Sequence, residues 1–176
     1  MEDNLKRLGV TCAHCFVANS AKISDPINGL TPRQFIANEG NGALLNDCFD
    51  FILLDPPCTG FGQRPDFGAE TDIDFVEHAS FQFHLLETAI TLLKTGGSLV
   101  YSTCSMSLWE NEDVVNRILR KYPELILEPI GSPLGSPCLP LESLNDYQRN
   151  CMRRFWPNED NSIGFFICKF KKLESI

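Results

Sequence analysis

No stretch of this 176-residue sequence is apolar for long enough to cross a bilayer; the longest runs are a few residues, such as Phe51-Ile52-Leu53-Leu54. The opening MEDNLKRLGV lacks the apolar core of a secretory signal, so a cytoplasmic or nuclear protein is expected. Positive charge is also short: 15 Lys and Arg face 23 Asp and Glu, a net −8, which argues against a general nucleic-acid coat protein. Cysteine is plentiful, but metal-ligand spacing is missing. Cys12-x-x-Cys15 encloses His14 and no second pair follows, so no metal is expected and both cysteines are assigned to a buried strand. Cys48, Cys138, Cys151 and Cys168 show no ligand spacing either, and Cys168 within IGFFICKF reads as a small core hydrophobe. Reduced thiols suit such a chain better than a disulfide framework. A strand followed by a glycine-rich phosphate turn is missing too. Gly40-Asn41-Gly42 follows no strand and reads as a plain loop, so the chain is expected to begin mid-domain.

What is present suits one domain, with 43% hydrophobic residues available for a core. Acids gather between Asp66 and Glu77, whereas Arg149, Arg153, Arg154, Lys169, Lys171 and Lys172 make the last third basic enough to meet phosphates locally. Strand and helix patterns alternate, predicting an α/β domain with a mostly parallel sheet. Phe49 to Asp55 is a nearly continuous apolar run, as expected of a strand buried on both faces, and Pro56-Pro57 ends it. Val76, Ala79, Phe83, Leu86, Ile90 and Leu93 recur at helical spacing, with a stop at Lys94-Thr95-Gly96-Gly97. Ser98–Thr103 reads as a second buried strand. Ser107-Leu108-Trp109-Glu110 has capping-box spacing and opens a helix that ends by Tyr122, before Pro123. Residues 129–145 read as a loop and Ile163–Phe170 as a last strand. Upstream, Leu5–Gly9 finishes a helix, Thr11–Ala18 forms a strand, and Asn28–Asp47 shows little periodicity.

Ligands of open parallel sheets bind beyond the C-terminal strand ends. Two segments leave their strands there with reactive residues: Asp55-Pro56-Pro57-Cys58-Thr59-Gly60 and Ser102-Thr103-Cys104-Ser105. If the strands are neighbours, about 4.8 Å apart, Asp55, Cys58 and Cys104 surround one small ligand.

DPPCTG, YSTCS, ENED and RFWPNEDNSIGFFICKF closely resemble the Nop/Sun-domain RNA cytosine-5 methyltransferases, and FGQRPDF looks most like the branch that methylates tRNA near the acceptor end. The resemblance runs over residues 3–172. It implies a partial Rossmann-like fold dependent on S-adenosylmethionine, with the N-terminal strands, glycine-rich cofactor loop, its lysine and the ribose-holding acid upstream of Met1. Residues 1–48 would then be a remnant of the cofactor-binding half, 49–128 the catalytic core, 129–145 a loop, and 146–176 a C-terminal helix and strand. By the same resemblance Cys104 is the nucleophile, Cys58 assists product release, and Asp55 holds cofactor and base. Asn19 stands where the family has an aspartate near the adenine. Cytosine C5 is a poor nucleophile until a thiolate adds to C6, so the site must favour a thiolate on Cys104. The substrate implied is RNA, above all tRNA. Its base must leave the stack, with Phe61, Phe67 or Trp109 as stacking partners and Arg64, Arg153 and Arg154 as phosphate contacts. The alternative is a non-catalytic remnant that binds RNA or protein. An adenine amino-methyltransferase is disfavoured, since D-P-P serves there too but that chemistry needs no thiol.

Overall fold

The computed structural model describes residues 1–63, 74–131 and 133–174. Its spine is a five-stranded mixed sheet built from β1 (Phe49–Leu54), β2 (Leu93–Thr103), β3 (Leu125–Glu128), β4 (Arg153–Phe155) and β5 (Phe165–Lys172). The order is β1-β2-β5-β3, with β4 also on β5. The α/β class matches expectation. The parallel part is the β1–β2 pair, whereas β5 runs antiparallel to β2, β3 and β4.

Helix α3 (Phe75–Leu92) packs on this sheet after Asp74 caps it, accepting from the backbone N–H groups of Val76 and Glu77 at 3.0 and 2.9 Å. Its buried face carries Ala79, Leu85, Leu86, Ala89 and Ile90 as periodicity requires, with Gln82 unexpectedly among them. Leu86, Leu93, Leu99, Ile118, Phe166 and Phe170 are wholly buried in one core. Each such side chain contributes about 1.5–3 kcal/mol of transfer free energy. Cys168 lies in this core as expected.

Strand β2 begins earlier than Ser98, because Leu93 already pairs with Phe49 before a register shift. Helix α4 (Val114–Lys121) ends where Pro123 demands. Helices α1 (Glu2–Arg7), α2 (Pro32–Ala37) and α5 (Asp146–Cys151) complete the set. Two upstream expectations fail. Thr11–Ala18 forms no strand, and Cys12 is exposed rather than buried; among the described residues no strand pairs with this stretch. The aperiodic Asn28–Asp47 contains α2, opened by Thr31 and Gln34 in a reciprocal capping box with Pro32 at its first turn.

The double burial expected of β1 also fails. Ile52 and Leu54 pack against the core, but Phe51 and Leu53 on the other face are 79% and 83% exposed. β1 is the first strand of the sheet, and among the described residues a small cluster of Phe35, Leu44 and Leu92 touches only its near end, at Phe49 and Ile52. A cleft of about 330 Å³ runs along this face, lined by Ser20, Ile23, Leu44, Phe51, Leu53 and Thr88 among others. Among the described residues no helix is long and apolar enough to cross a membrane.

Candidate active site

The parallel pairing of β1 with β2, with Leu54 opposite Tyr101, brings both reactive segments out at the same end of the sheet. Asp55 follows β1 and is exposed. Cys58, three residues on, meets Cys104, the first residue beyond β2. Their sulfurs lie 3.3 Å apart, both half-buried and both free thiols. The two cysteines singled out in the sequence are thus brought together.

Local geometry explains how two turns hold that spacing. Pro56 is buried, and the Pro57 carbonyl accepts from the buried Gln82 amide at 3.0 Å. Gly60 turns the chain at φ +67, a conformation glycine adopts freely. Gly62 then donates its backbone N–H to the Cys104 carbonyl at 2.9 Å, and its own carbonyl accepts from Gly164 at 2.6 Å. A side chain at Gly62 would meet the Gly164 oxygen at 2.6 Å and the Cys104 oxygen at 2.7 Å, so only glycine fits. The next side chain, Gln63, donates its amide N–H to Cys104 Sγ at 3.1 Å.

Burial pushes the Cys58 thiol up to about 11, aided by its hydrogen bond with Cys104. Cys58 therefore keeps its proton near neutrality, and whenever Cys104 is ionised the shared hydrogen belongs to Cys58. A thiol and an amide would then both donate to the Cys104 sulfur, an arrangement suited to a nucleophilic thiolate. Folding raises Cys58 from the ordinary 9.0. Its contribution to stability is then complete below pH 9 and lost as pH climbs through 11. Burial shifts Cys138, Cys168 and Tyr101 the same way. The urea midpoint is expected to hold up to about pH 9 and fall towards pH 11; a midpoint unchanged across that window contradicts this accounting.

Beneath the cysteines lies a polar layer that the sequence reading missed. Trp109–Asp113 is a π-helical turn leading into α4, and Glu110, Asn111 and Glu112 are all wholly buried. Three consecutive residues of an ordinary α-helix sweep about 200°, so they could not all face inward. The wider turn allows it, a distortion frequent at functional sites. Glu110 is therefore not the surface half of a capping box with Ser107, as its spacing suggested. Its carboxylate accepts from Thr59 N and Oγ1, from Gln82 Nε2 and from Ser105 Oγ. Asn111 accepts from Thr103 Oγ1 at 2.6 Å and donates to the Ser105 carbonyl at 2.9 Å. Tyr101 donates its hydroxyl to the Glu110 carbonyl at 2.6 Å.

Arg154 overturns its assignment as a phosphate contact. It is wholly buried, its guanidinium forked onto both oxygens of Glu112 at 2.6 and 2.5 Å and donating to the Met106 carbonyl at 3.0 Å. Arg153 is half-buried and donates to the carbonyls of Asn150 and Met152. Arg64 and Phe67 lie outside the described residues. Phe61 and Trp109 are 61% and 53% exposed, Phe61 edge-on to Phe75. Asn19 is exposed, and its side-chain oxygen accepts from Ala21 N at 3.1 Å, capping a short 3-10 turn beside α3. Among the described residues no cluster of His, Cys, Asp or Glu suits a metal ion.

Residues 1–171 match the family model described as 16S rRNA methyltransferase RsmB/F. The tRNA (cytosine(72)-C(5))-methyltransferase NSUN6 of Mus musculus is 35% identical over 202 residues, covering 99% of this chain and 41% of its own length. The tRNA (cytosine(72)-C(5))-methyltransferase of Pyrococcus horikoshii is 34% identical over 177 residues, covering all of this chain and 38% of its own. The crystal structure of NSun6 from Pyrococcus horikoshii with SFG superposes with a TM-score of 0.73 at 34% identity, over 99% of this chain and 38% of that one. The chain thus spans about two fifths of the length of these relatives.

Proposed function

We propose, for a chain that belongs to the 16S rRNA methyltransferase RsmB/F family, that it is the C-terminal part of the catalytic domain of an RNA cytosine-5 methyltransferase, with Cys104 as the nucleophile. The observation that carries this reading is the pair of sulfurs 3.3 Å apart at the shared end of two parallel strands. Relatives named as methyltransferases of tRNA and of ribosomal RNA support the reaction class. Relatives named for cytosine 72 of tRNA favour tRNA as substrate.

The Cys104 thiolate bonds to C6 of a flipped cytosine, and the ring becomes enamine-like, so that C5 can take a methyl group. C5 then gives its proton to water, the C5–H electron pair restores the C5–C6 double bond, and the sulfur–C6 bond breaks with its pair returning to Cys104. Cys58, 3.3 Å away, assists that release. Gln63 steadies the sulfur in its anionic form.

The methyl donor of this chemistry is S-adenosylmethionine, and SFG in the archaeal structure is an analogue of it. Asp55 fits a role in holding it, being an exposed carboxylate beyond the end of a parallel strand. Asn19 fits in part, since its side-chain oxygen already serves the Ala21 N–H. Arg153 and Arg64 remain the proposed phosphate contacts.

Transfer of labelled methyl groups to C5 of cytosine, in tRNA and in ribosomal RNA, tests the reading in the full-length form that includes the upstream half. Cys104→Ala is expected to reduce transfer by about a thousandfold or more. Transfer surviving that substitution in a folded protein removes the proposal.

A further inference from the structure

The residue after each cysteine is bonded to the same side chain. Thr59, next to Cys58, gives Glu110 its backbone N–H at 2.9 Å and its hydroxyl at 2.6 Å. Ser105, next to Cys104, gives Glu110 its hydroxyl. The two hydroxyls also lie 3.2 Å from each other. Gln82 Nε2 completes the set at 2.9 Å while also holding the Pro57 carbonyl one residue before Cys58. All four groups donate to a carboxylate that is wholly buried.

We infer that Glu110 is a positioning residue: one carboxylate clamps both cysteine turns and so sets the distance between the Cys58 and Cys104 sulfurs. The inference rests on the proposed function only for its purpose, because the clamp itself is a matter of geometry. The two turns are 46 residues apart in sequence. Besides the Gly62–Cys104 backbone bond, the hydroxyl pair, the Gln63 amide on Cys104 Sγ and the sulfur pair itself, the turns are tied through Glu110, which takes donors from both. A carboxylate has two oxygens and several acceptor directions, so it can take all four donors at once, and short charge-assisted bonds hold them stiffly. Without it, a buried and a half-buried hydroxyl, a backbone N–H and an amide must find other partners, and the turns have reason to separate.

Spacing can be read directly with phenylarsine oxide. Its arsenic forms two As–S bonds to a pair of nearby thiols, and the arsenic-bound oxygen leaves as water with both thiol protons. A Cys12→Ser/Cys15→Ser background removes the pair that lies three residues apart in sequence, and Cys138, Cys151 and Cys168 are buried in the core. Cys58→Ala in that background gives the value for attachment through one sulfur. Glu110→Ala is expected to weaken chelation by about tenfold or more, since a misplaced second thiol lowers the effective concentration of the chelating step. Glu110→Gln is expected to restore it to within about threefold, because the Thr59 and Ser105 hydroxyls can turn and accept from the new amide. If Glu110→Ala does not fold, Thr59→Val with Ser105→Ala removes both hydroxyl ties while leaving the carboxylate, and is expected to show the same weakening. Full chelation by folded Glu110→Ala, or by the hydroxyl double variant where the alanine variant does not fold, overturns the inference. Neither RNA nor methyl donor enters this measurement, so loss of methyl transfer and loss of the clamp are separate results.

Discussion

Glu112→Ala is expected to cost about 3–5 kcal/mol of stability, the range found when one partner of a buried ion pair is removed. The guanidinium of Arg154 would stay behind, wholly buried, with its forked acceptor gone and the Met106 carbonyl as its remaining hydrogen-bond partner. Leu139 would lose the acceptor of its backbone N–H at 2.9 Å as well. The pair thus fastens two pieces that the sheet does not hold, the turn after Cys104 through Met106 and the loop at Leu139, to β4, which is itself paired with β5. The aromatic rings of Trp156 and Phe166, 5.5 and 5.8 Å from the guanidinium carbon, cover it but cannot replace a carboxylate. Replacing both partners together, as Glu112→Leu with Arg154→Met, is expected to recover most of the loss, because no uncompensated charge then remains. Urea unfolding measures each. A loss under about 1 kcal/mol for Glu112→Ala would mean that the pair is of no more account than a surface salt bridge.

Cys58→Ala carries the second large effect, this time on turnover in the full-length form. Attack by Cys104 uses Cys58 only as one of two hydrogen-bond donors to its sulfur, and Gln63 remains as the other, so the covalent protein–RNA species is expected to form. Its breakdown needs proton movement beside the departing sulfur, where Cys58 stands at 3.3 Å with a thiol pushed up to about 11. Positioned proton transfer is typically worth about 10²–10⁴ in rate, and turnover should fall by that order. Complexes that survive denaturing gels should accumulate at the same time. Unchanged turnover would deny Cys58 any part in release, and loss of both turnover and complexes would move its role to the first bond.

The parts of the fold legible in the sequence were those set by period and punctuation. The apolar stripe from Val76 to Leu93 becomes α3 except for Leu93, which opens β2, Ser98–Thr103 falls within β2, and Pro123 ends α4. Those same elements deliver the site, because two reactive turns at the ends of adjacent parallel strands must meet. Polar burial was not legible. Glu110 reads as a cap and Arg154 as a surface cation until the π turn and the partners 42 to 51 residues away in sequence are seen. Residue type favours solvent for both, and the tertiary partners override it. The ENE run held one usable signal: three consecutive polar residues at the start of an amphipathic helix leave no room for an apolar stripe. Thr31-Pro32-Arg33-Gln34 held a plainer one, a capping box with proline at the first turn, which hydropathy alone passes over. For β1 the apolar run was read correctly as a strand, but burial depends on what lies opposite, and Phe51 and Leu53 meet solvent.

The central claim, a bond between Cys104 sulfur and C6 of the target base, is tested most directly by trapping it. In RNA containing 5-azacytidine, position 5 is a nitrogen without a hydrogen to lose, so the adduct cannot be released by elimination. Mass spectrometry of proteolytic peptides from the full-length, cofactor-saturated protein is expected to find the nucleotide on Cys104, and Cys104→Ala to yield none. An adduct mapped to Cys58, or no adduct in a folded and cofactor-bound protein, would contradict the account.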